Sequence, residues 1–306
     1  MNYKYYIADV FTRQIFNGAQ IAVFPNADGL NSRQMKLAAR ELNLTETVFV
    51  FHQDDAVKRR MRIFTPQGEI DFAGHPVIAT AFVLASCGDI VLSEKYTPVV
   101  FEQNVGPISA NITNYNGKPD FIQFTGKVSP IVDRFAPPDG ELASFLSIPE
   151  GQIDHKKFNT RLVSCGFPYL VVPVYNYETV RKARFNFQAW SQSIAPQTAA
   201  QEILLFSAKT PFQDADFNAR LVGPNIGLHD DPPVGTAMPA FAAYLCSFEH
   251  MKKGTYTFAV DRGEASNRRS VLNLEMDHKG EDTLTIRVGG EAVMVAEGIM
   301  TIPDIL

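Results

Sequence analysis

Cysteine is scarce in this chain: three residues in 306, Cys87, Cys165 and Cys246, far apart and without a CxxC pair. That excludes a disulfide-built fold and points to reduced thiols in a cytoplasmic protein. The six histidines are scattered, without the i,i+3 or i,i+4 spacing of a helical metal site, so no metal is expected. Glycine-rich phosphate loops of the GxGxxG or GxxxxGK type are missing, so no nucleotide cofactor is expected either. No stretch reaches the ~20 apolar residues of a membrane span. The opening MNYKYYIADVF lacks the cationic start, apolar core and small-residue cleavage site of a secretory signal. Neither charge sign runs in blocks, and no basic stripe accompanies the net charge of −5. Nucleic acid and anionic membrane are therefore not expected as partners.

What is present is a repeat. RIFTPQGEIDFAGHPVIATAFVLAS begins at Arg62, and RLVGPNIGLHDDPPVGTAMPAFAAYLCS begins at Arg220. Both run from Arg to Pro (Pro66, Pro224), through a polar stretch with an Asp (Asp71, Asp231), to a Gly (Gly74, Gly235). From that Gly, Ala stands five residues on (Ala79, Ala240) and Leu ten (Leu84, Leu245). GAQIAVF from Gly18 matches GFPYLVV from Gly166, each an apolar strand entered through Gly. VVFEQNVGPISANI and FAVDRGEASNRRSVLNL match as strand, turn and alternating strand. Chance likeness of strand–loop–helix units explains a few matches, but not four segments in one order.

Each half therefore reads as α+β, a sheet wrapping one buried helix. Residues 76–87 and 238–248 are apolar nearly all round, as such a helix requires. A shorter amphipathic helix is expected over 32–42, with Ser32 as its N-cap. The stretch 114–140, rich in Asn, Gly, Pro and Asp, separates the halves. The expected lobes are 1–118 and 119–289, with a strand at about 290–306 returning to the first.

Chemistry is expected where the buried helices start after Gly74 and Gly235. A helix start exposes unpaired N–H groups and the positive end of the dipole, which suits a small anion such as a carboxylate. Plain turn glycines are the alternative. Glu46 stands between Thr45 and Thr47 at the mouth of an apolar strand over 47–51. It reads either as a solvated loop carboxylate or as a partly buried acid tuned for proton transfer. His75, next to Gly74, is a satisfied structural residue or a group that polarises a substrate. Asp231 is a helix cap or a substrate contact.

ADVFTRQIFNGAQIAVF, AARELNLTETVFVF, IFTPQGEIDFAGHPVIATAF, NIGLHDDPPVGTAMPAFAAYL and the ending GGEAVMVAEGIM resemble the phenazine-biosynthesis isomerase (PhzF-like) family over nearly the whole chain. The resemblance implies the diaminopimelate epimerase-like fold: two pseudo-symmetric α+β lobes, each a strongly curved, barrel-like sheet around a central helix. It implies a cofactor-independent isomerase, with a small carboxylate-bearing substrate between the lobes, on the pattern of a dihydro-hydroxyanthranilate. By the NLTET motif Glu46 is the proton-transfer residue, while His75 and Asp231 bind and polarise. Thr45, Gly74, Gly235 and Thr236 are the implied substrate contacts, and a homodimer is the implied assembly. Related epimerases carry cysteines immediately before the paired glycines, where this chain has Ala73 and Val234. An epimerase or racemase is the second reading, and a catalytically silent binding homologue the third. The family's GNP is here Gly18-Ala19-Gln20, TAMPA places Pro239 in the second helix, and the family's QG…GRPS is here DRGEASNRRS.

Overall fold

The computed structural model describes residues 1–53, 58–200, 202–227, 231–264 and 267–304. The chain divides into two compact units, each built from more than one segment. The first is Met1–Gly126 with Ser266–Ser270 and Arg287–Leu306; the second is Lys127–Ala265 with Val271–Ile286. The division falls at Gly126, beyond the expected 118. The strand Lys118–Val128 turns back on Gly106–Tyr115 and pairs with it from Tyr115↔Lys118 onward, which keeps the chain in the first unit. The strand Ala292–Thr301 does return, pairing with Asn2–Val10 from Asn2↔Thr301 to Val10↔Ala292.

In the first unit, helix Gly74–Ser86 is buried at every position from Gly74 to Leu84. Strands Asn2–Val10, Ala19–Phe24, Glu46–Phe51, Gly106–Tyr115 and Ala292–Thr301 all lie against it. An all-apolar surface needs cover on all sides, and these strands supply it. Val77, Ile78, Phe82, Val83 and Leu84 are at most 8% exposed. Side chains of this size each contribute about 1.5–3 kcal/mol when fully buried. The amphipathic helix Ser32–Leu42 lies where it was expected, but its cap is Asn31 rather than Ser32. Asn31 Oδ1 accepts the Gln34 N–H at 3.0 Å and Gln34 Oε1 accepts the Asn31 N–H at 2.9 Å, a closed capping box. The Ser32 hydroxyl instead accepts from Arg62.

In the second unit, strands Pro168–Pro173 and Glu202–Ser207 run parallel, with Tyr169 opposite Glu202. Glu202–Ser207 pairs antiparallel with Phe217–Val222, and Arg161–Ser164 with both Pro168–Pro173 and Ile131–Asp133. The central helix Met238–Cys246 is entered through a 3-10 turn, Gly235–Ala237. Phe241 on it meets Phe206 and Phe217 edge-on, at 4.9 and 5.2 Å between ring centroids. Strand alternation sends Ile203 and Leu205 to the opposite face. There they join Leu142, Phe145 and Trp190 from helices Asp139–Leu146 and Phe187–Gln192. One central helix per half thus understates this unit, which among the described residues has three further α-helices counting Tyr177–Lys182. Two of them span only six residues, too short for a periodic signal, and are marked chiefly by their Asn caps, Asn176 and Asn186. Among the described residues no helix is long and apolar enough to cross a membrane.

Candidate active site

Glu46 is the first residue of strand Glu46–Phe51, not a loop residue before it. Its parallel neighbour is Ile21. Helix Gly74–Ser86 starts at Ala73, which offers no capping side chain. The second residue of that helix, His75, reaches Glu46: Nε2 and Oε2 lie 2.8 Å apart. Glu46 is 7% and His75 2% exposed. At that distance one hydrogen lies between the two atoms. Either His75 Nε2–H donates to the carboxylate, or a protonated Glu46 donates to Nε2. Glu46 is therefore hydrogen-bonded to an imidazole rather than a lone carboxylate. The other imidazole nitrogen, Nδ1, is buried and has no hydrogen-bond partner among the described residues. Thr45, just outside the strand, is exposed.

Gly74 is buried, and the space a side chain would take is filled. A Cβ there would stand 2.5 Å from the tip of the Phe124 ring. The glycine makes room for Phe124 as well as leaving the helix start bare. Asp71 is exposed and accepts from Asn104 at 3.2 Å.

Two of the three segments that depart from the family pattern, at Gly18 and at Arg268, meet in the first unit. Asp9, fully buried, accepts the Phe16 N–H at 2.7 Å through Oδ2 and Arg268 Nη2 through Oδ1. Arg268 also donates to the Gly18 and Asn17 carbonyls, each at 3.1 Å, and the Gly18 N–H donates to Arg269 at 2.9 Å. Gly18 adopts φ +68°, and a Cβ there would meet the Val10 carbonyl at 2.1 Å. Only glycine fits that turn. The turn opens the strand Ala19–Phe24, three residues before the neighbour of Glu46, so the clasp fixes backbone close to the acid.

In the second unit, Asp231 is not a helix cap: the turn at Gly235 has Val234 at its cap position and no side-chain bond there. Its carboxylate goes to arginines instead. Arg181 Nη1 donates to Oδ2 at 2.6 Å, and Arg262 Nε stands 3.6 Å from Oδ1. Burial pushes the Arg220 guanidinium down, and the charge of Asp231 pulls it back up. Reading the sequence missed Arg181 and Arg262. The available signal was slight: both stand in mixed, charged stretches, YETVRKARF and TFAVDRGE, that read as ordinary surface. Thr236, after Gly235, is hydrogen-bonded to the buried Tyr169. Residues 228–230, beside Asp231, lie outside the described residues. Among the described residues no group of three or more His, Cys, Asp or Glu side chains is placed to hold a metal ion.

The model of the family described as phenazine biosynthesis-like protein matches residues 8–298. An uncharacterized isomerase of Mesorhizobium japonicum is 32% identical over 301 residues, 96% of this chain and 97% of that one. Trans-2,3-dihydro-3-hydroxyanthranilate isomerase of Pseudomonas aeruginosa is 25% identical, over 97% of this chain and 98% of its own. The crystal structure of a PhzF-family phenazine biosynthesis protein of Bacillus anthracis superposes with a TM-score of 0.85 at 23% identity, covering 99% of this chain and 100% of that one. The fold is accordingly α+β of the diaminopimelate epimerase-like class. The chain belongs to the phenazine biosynthesis-like protein family and is an isomerase.

Proposed function

We propose that the protein is a cofactor-independent isomerase that moves a proton between two carbons of a small carboxylate-bearing substrate, a cyclic dihydro-hydroxyanthranilate-like acid being the model case. The observation that carries this reading is the buried Glu46–His75 contact at 2.8 Å. A carboxylate screened from water and held by an imidazole is suited to take a proton from carbon and return it. In the proposed cycle Glu46 removes a proton from one carbon as the double bond shifts. The hydrogen on Glu46 exchanges with solvent before the return step, and Glu46 then delivers a proton to the second carbon, so no net proton, electron or group is gained. His75 holds the carboxylate in position and relays the charge change through their shared hydrogen. The free N–H groups at the start of helix Gly74–Ser86 take part of the developing negative charge.

In this reading Asp231, Gly235 and Thr236 are substrate contacts, and Arg181 positions Asp231 by its 2.6 Å contact. The two-cysteine epimerase mechanism is disfavoured by chemistry, since Ala73 and Val234 are both buried and neither carries a proton to give. The reading extends to a homodimer in the cytoplasm, supported by the family resemblance and by three unpaired cysteines.

The test is incubation with cyclic amino and hydroxy acids, a dihydro-hydroxyanthranilate first, in deuterated water. Solvent deuterium is expected to enter substrate carbon, and Glu46→Gln is expected to slow that entry by about 10²-fold or more. Binding without exchange across the panel would sink the enzymatic reading and leave a silent binding homologue.

A further inference from the structure

The second unit has a cavity of about 790 Å³ whose residues include none of those placed in the proton-transfer site. Arg134, Thr160, Arg161, Phe248, His250 and Lys252 line it, with Glu249 as the one carboxylate. Its charge follows from strand register. Strand Ile131–Asp133 pairs with Arg161–Ser164 through Leu162↔Asp133. One step further along that antiparallel ladder sets Arg161 opposite Arg134. Like charges facing each other across a strand pair are unfavourable unless something neutralises them.

Nothing among the described residues does so. Among the described residues, no carboxylate forms an ion pair with Arg134, Arg161 or Lys252. Three cations against the single Glu249 leave two positive charges unmatched. Arg161 is only 8% exposed and is held rigidly. Its guanidinium carbon stands 3.8 Å above the Phe248 ring. Its Nη1 donates to the Ser247 carbonyl at 2.8 Å and to the Ser247 hydroxyl. Those bonds cap the end of helix Met238–Cys246, which accounts for Nη1 alone. Burial pushes the guanidinium below its ordinary value; Tyr244 pulls it up and the charge of Arg134 pushes it down again. A second, independent mark is Thr160. It is 8% exposed, lines the cavity, and its hydroxyl has no hydrogen-bond partner among the described residues.

We propose that this cavity binds a phosphate-type oxyanion, either inorganic phosphate or the phosphate group of a small metabolite. The remaining edge of a guanidinium fixed by ring stacking makes paired N–H···O contacts with such a group. A neighbouring arginine and lysine match the second negative charge, and a threonine hydroxyl completes the set. Two unmatched positive charges suit a dianion better than a monocarboxylate. The volume lies within the roughly 300–1,000 Å³ of small-molecule pockets and exceeds what one phosphate fills. The exposed face of His250 then serves the organic part of a ligand.

The test is calorimetric titration of the intact protein at constant ionic strength with inorganic phosphate, phenyl phosphate and phenylacetate. Saturable binding of both phosphates is expected, phenyl phosphate the tighter, with phenylacetate at least tenfold weaker. Phosphate binding tighter than phenyl phosphate would assign the site to the free ion. The double variant Arg134→Ala/Lys252→Ala changes two exposed side chains and is expected to keep the unliganded melting temperature while weakening phosphate at least tenfold. Thr160→Val is expected to weaken it severalfold. No saturable phosphate binding, equal affinity for phenylacetate, or undiminished affinity in the double variant would each overturn the proposal. So would loss of self-association in the double variant with no anion effect, since the cavity would then be a surface between copies. Deuterium exchange at the Glu46 site is expected to be unchanged in these variants, so the two proposals fail separately.

Discussion

The two units build the same strand pair and use it differently. In the first, the third residue after Gly18 is Ile21, whose parallel neighbour is Glu46. In the second, the third residue after Gly166 is Tyr169, whose parallel neighbour is Glu202. The duplicated backbone thus places a glutamate at one register in both halves. Their surroundings diverge at the residue after the helix-leading glycine. His75 reaches Glu46, whereas Thr236 bonds Tyr169. Glu202 has no hydrogen bond or ion pair among the described residues, and burial alone pushes its carboxyl up. The difference teaches that register supplies an acid in both halves, while only in the first, among the described residues, does an imidazole stand beside it, as the proposed exchange requires.

The sharpest way to break this comparison is to remove each acid. Glu46→Gln is expected to lower isotope exchange by about 10²–10⁴-fold, the usual worth of a general acid/base. Glu202→Gln is expected to stay within about threefold of the parent rate. Equal losses would show a two-acid mechanism instead. Next in size is Arg181→Met, which strips Asp231 of the closer of its two arginines. Breaking a mostly buried pair is expected to cost about 3 kcal/mol by denaturant unfolding, and Asp231→Asn added to it is expected to restore part. Gly74→Ala, which drives a methyl into Phe124, is expected to cost about 1–3 kcal/mol, partly relieved by Phe124→Leu.

Smaller effects sharpen the same contrast. The Glu202 carboxyl sits above its ordinary value in the folded protein, so the native state holds that proton to higher pH than the unfolded chain does. Stability is then lost as pH rises from the unfolded value through the folded one. Glu202→Gln is expected to raise the melting temperature at pH 7 and not below pH 4. A gain that is independent of pH would refute the burial argument. Least of all are the thiols. Cys165 and Cys246, in the second unit, are pushed up to about 11 by burial, whereas Cys87, in the first, is exposed. A disulfide reagent at pH 8 is expected to reach Cys87 first.

The strands entered through Gly18 and Gly166 and the two buried helices were legible because each is local: a glycine, an apolar run, an apolar surface all round. Glu46 and His75 stood out by motif, but their contact did not. They are 29 positions apart, and only the packing of helix Gly74–Ser86 against strand Glu46–Phe51 joins them. The arginines around Asp231 were hidden for the same reason, Arg181 being 50 positions away. The family departures at Gly18-Ala19-Gln20 and at DRGEASNRRS looked independent in sequence. Arg268, 250 positions from Gly18, makes them one structure.

The braid of the first unit sets an order of assembly. Its strand Asn2–Val10 finds its neighbour in Ala292–Thr301, and Asp9 waits for Arg268. On a ribosome, everything the second unit requires up to Ile286 has left the tunnel before those outer strands meet. Domains usually mature in the order of translation. Here the half whose first segment is translated earlier is the one finished later, and its long-range pairings are of the slow kind. The nascent protein therefore carries Glu46 and His75 from early on but completes the sheet around their helix only after Ala292–Thr301 has been made.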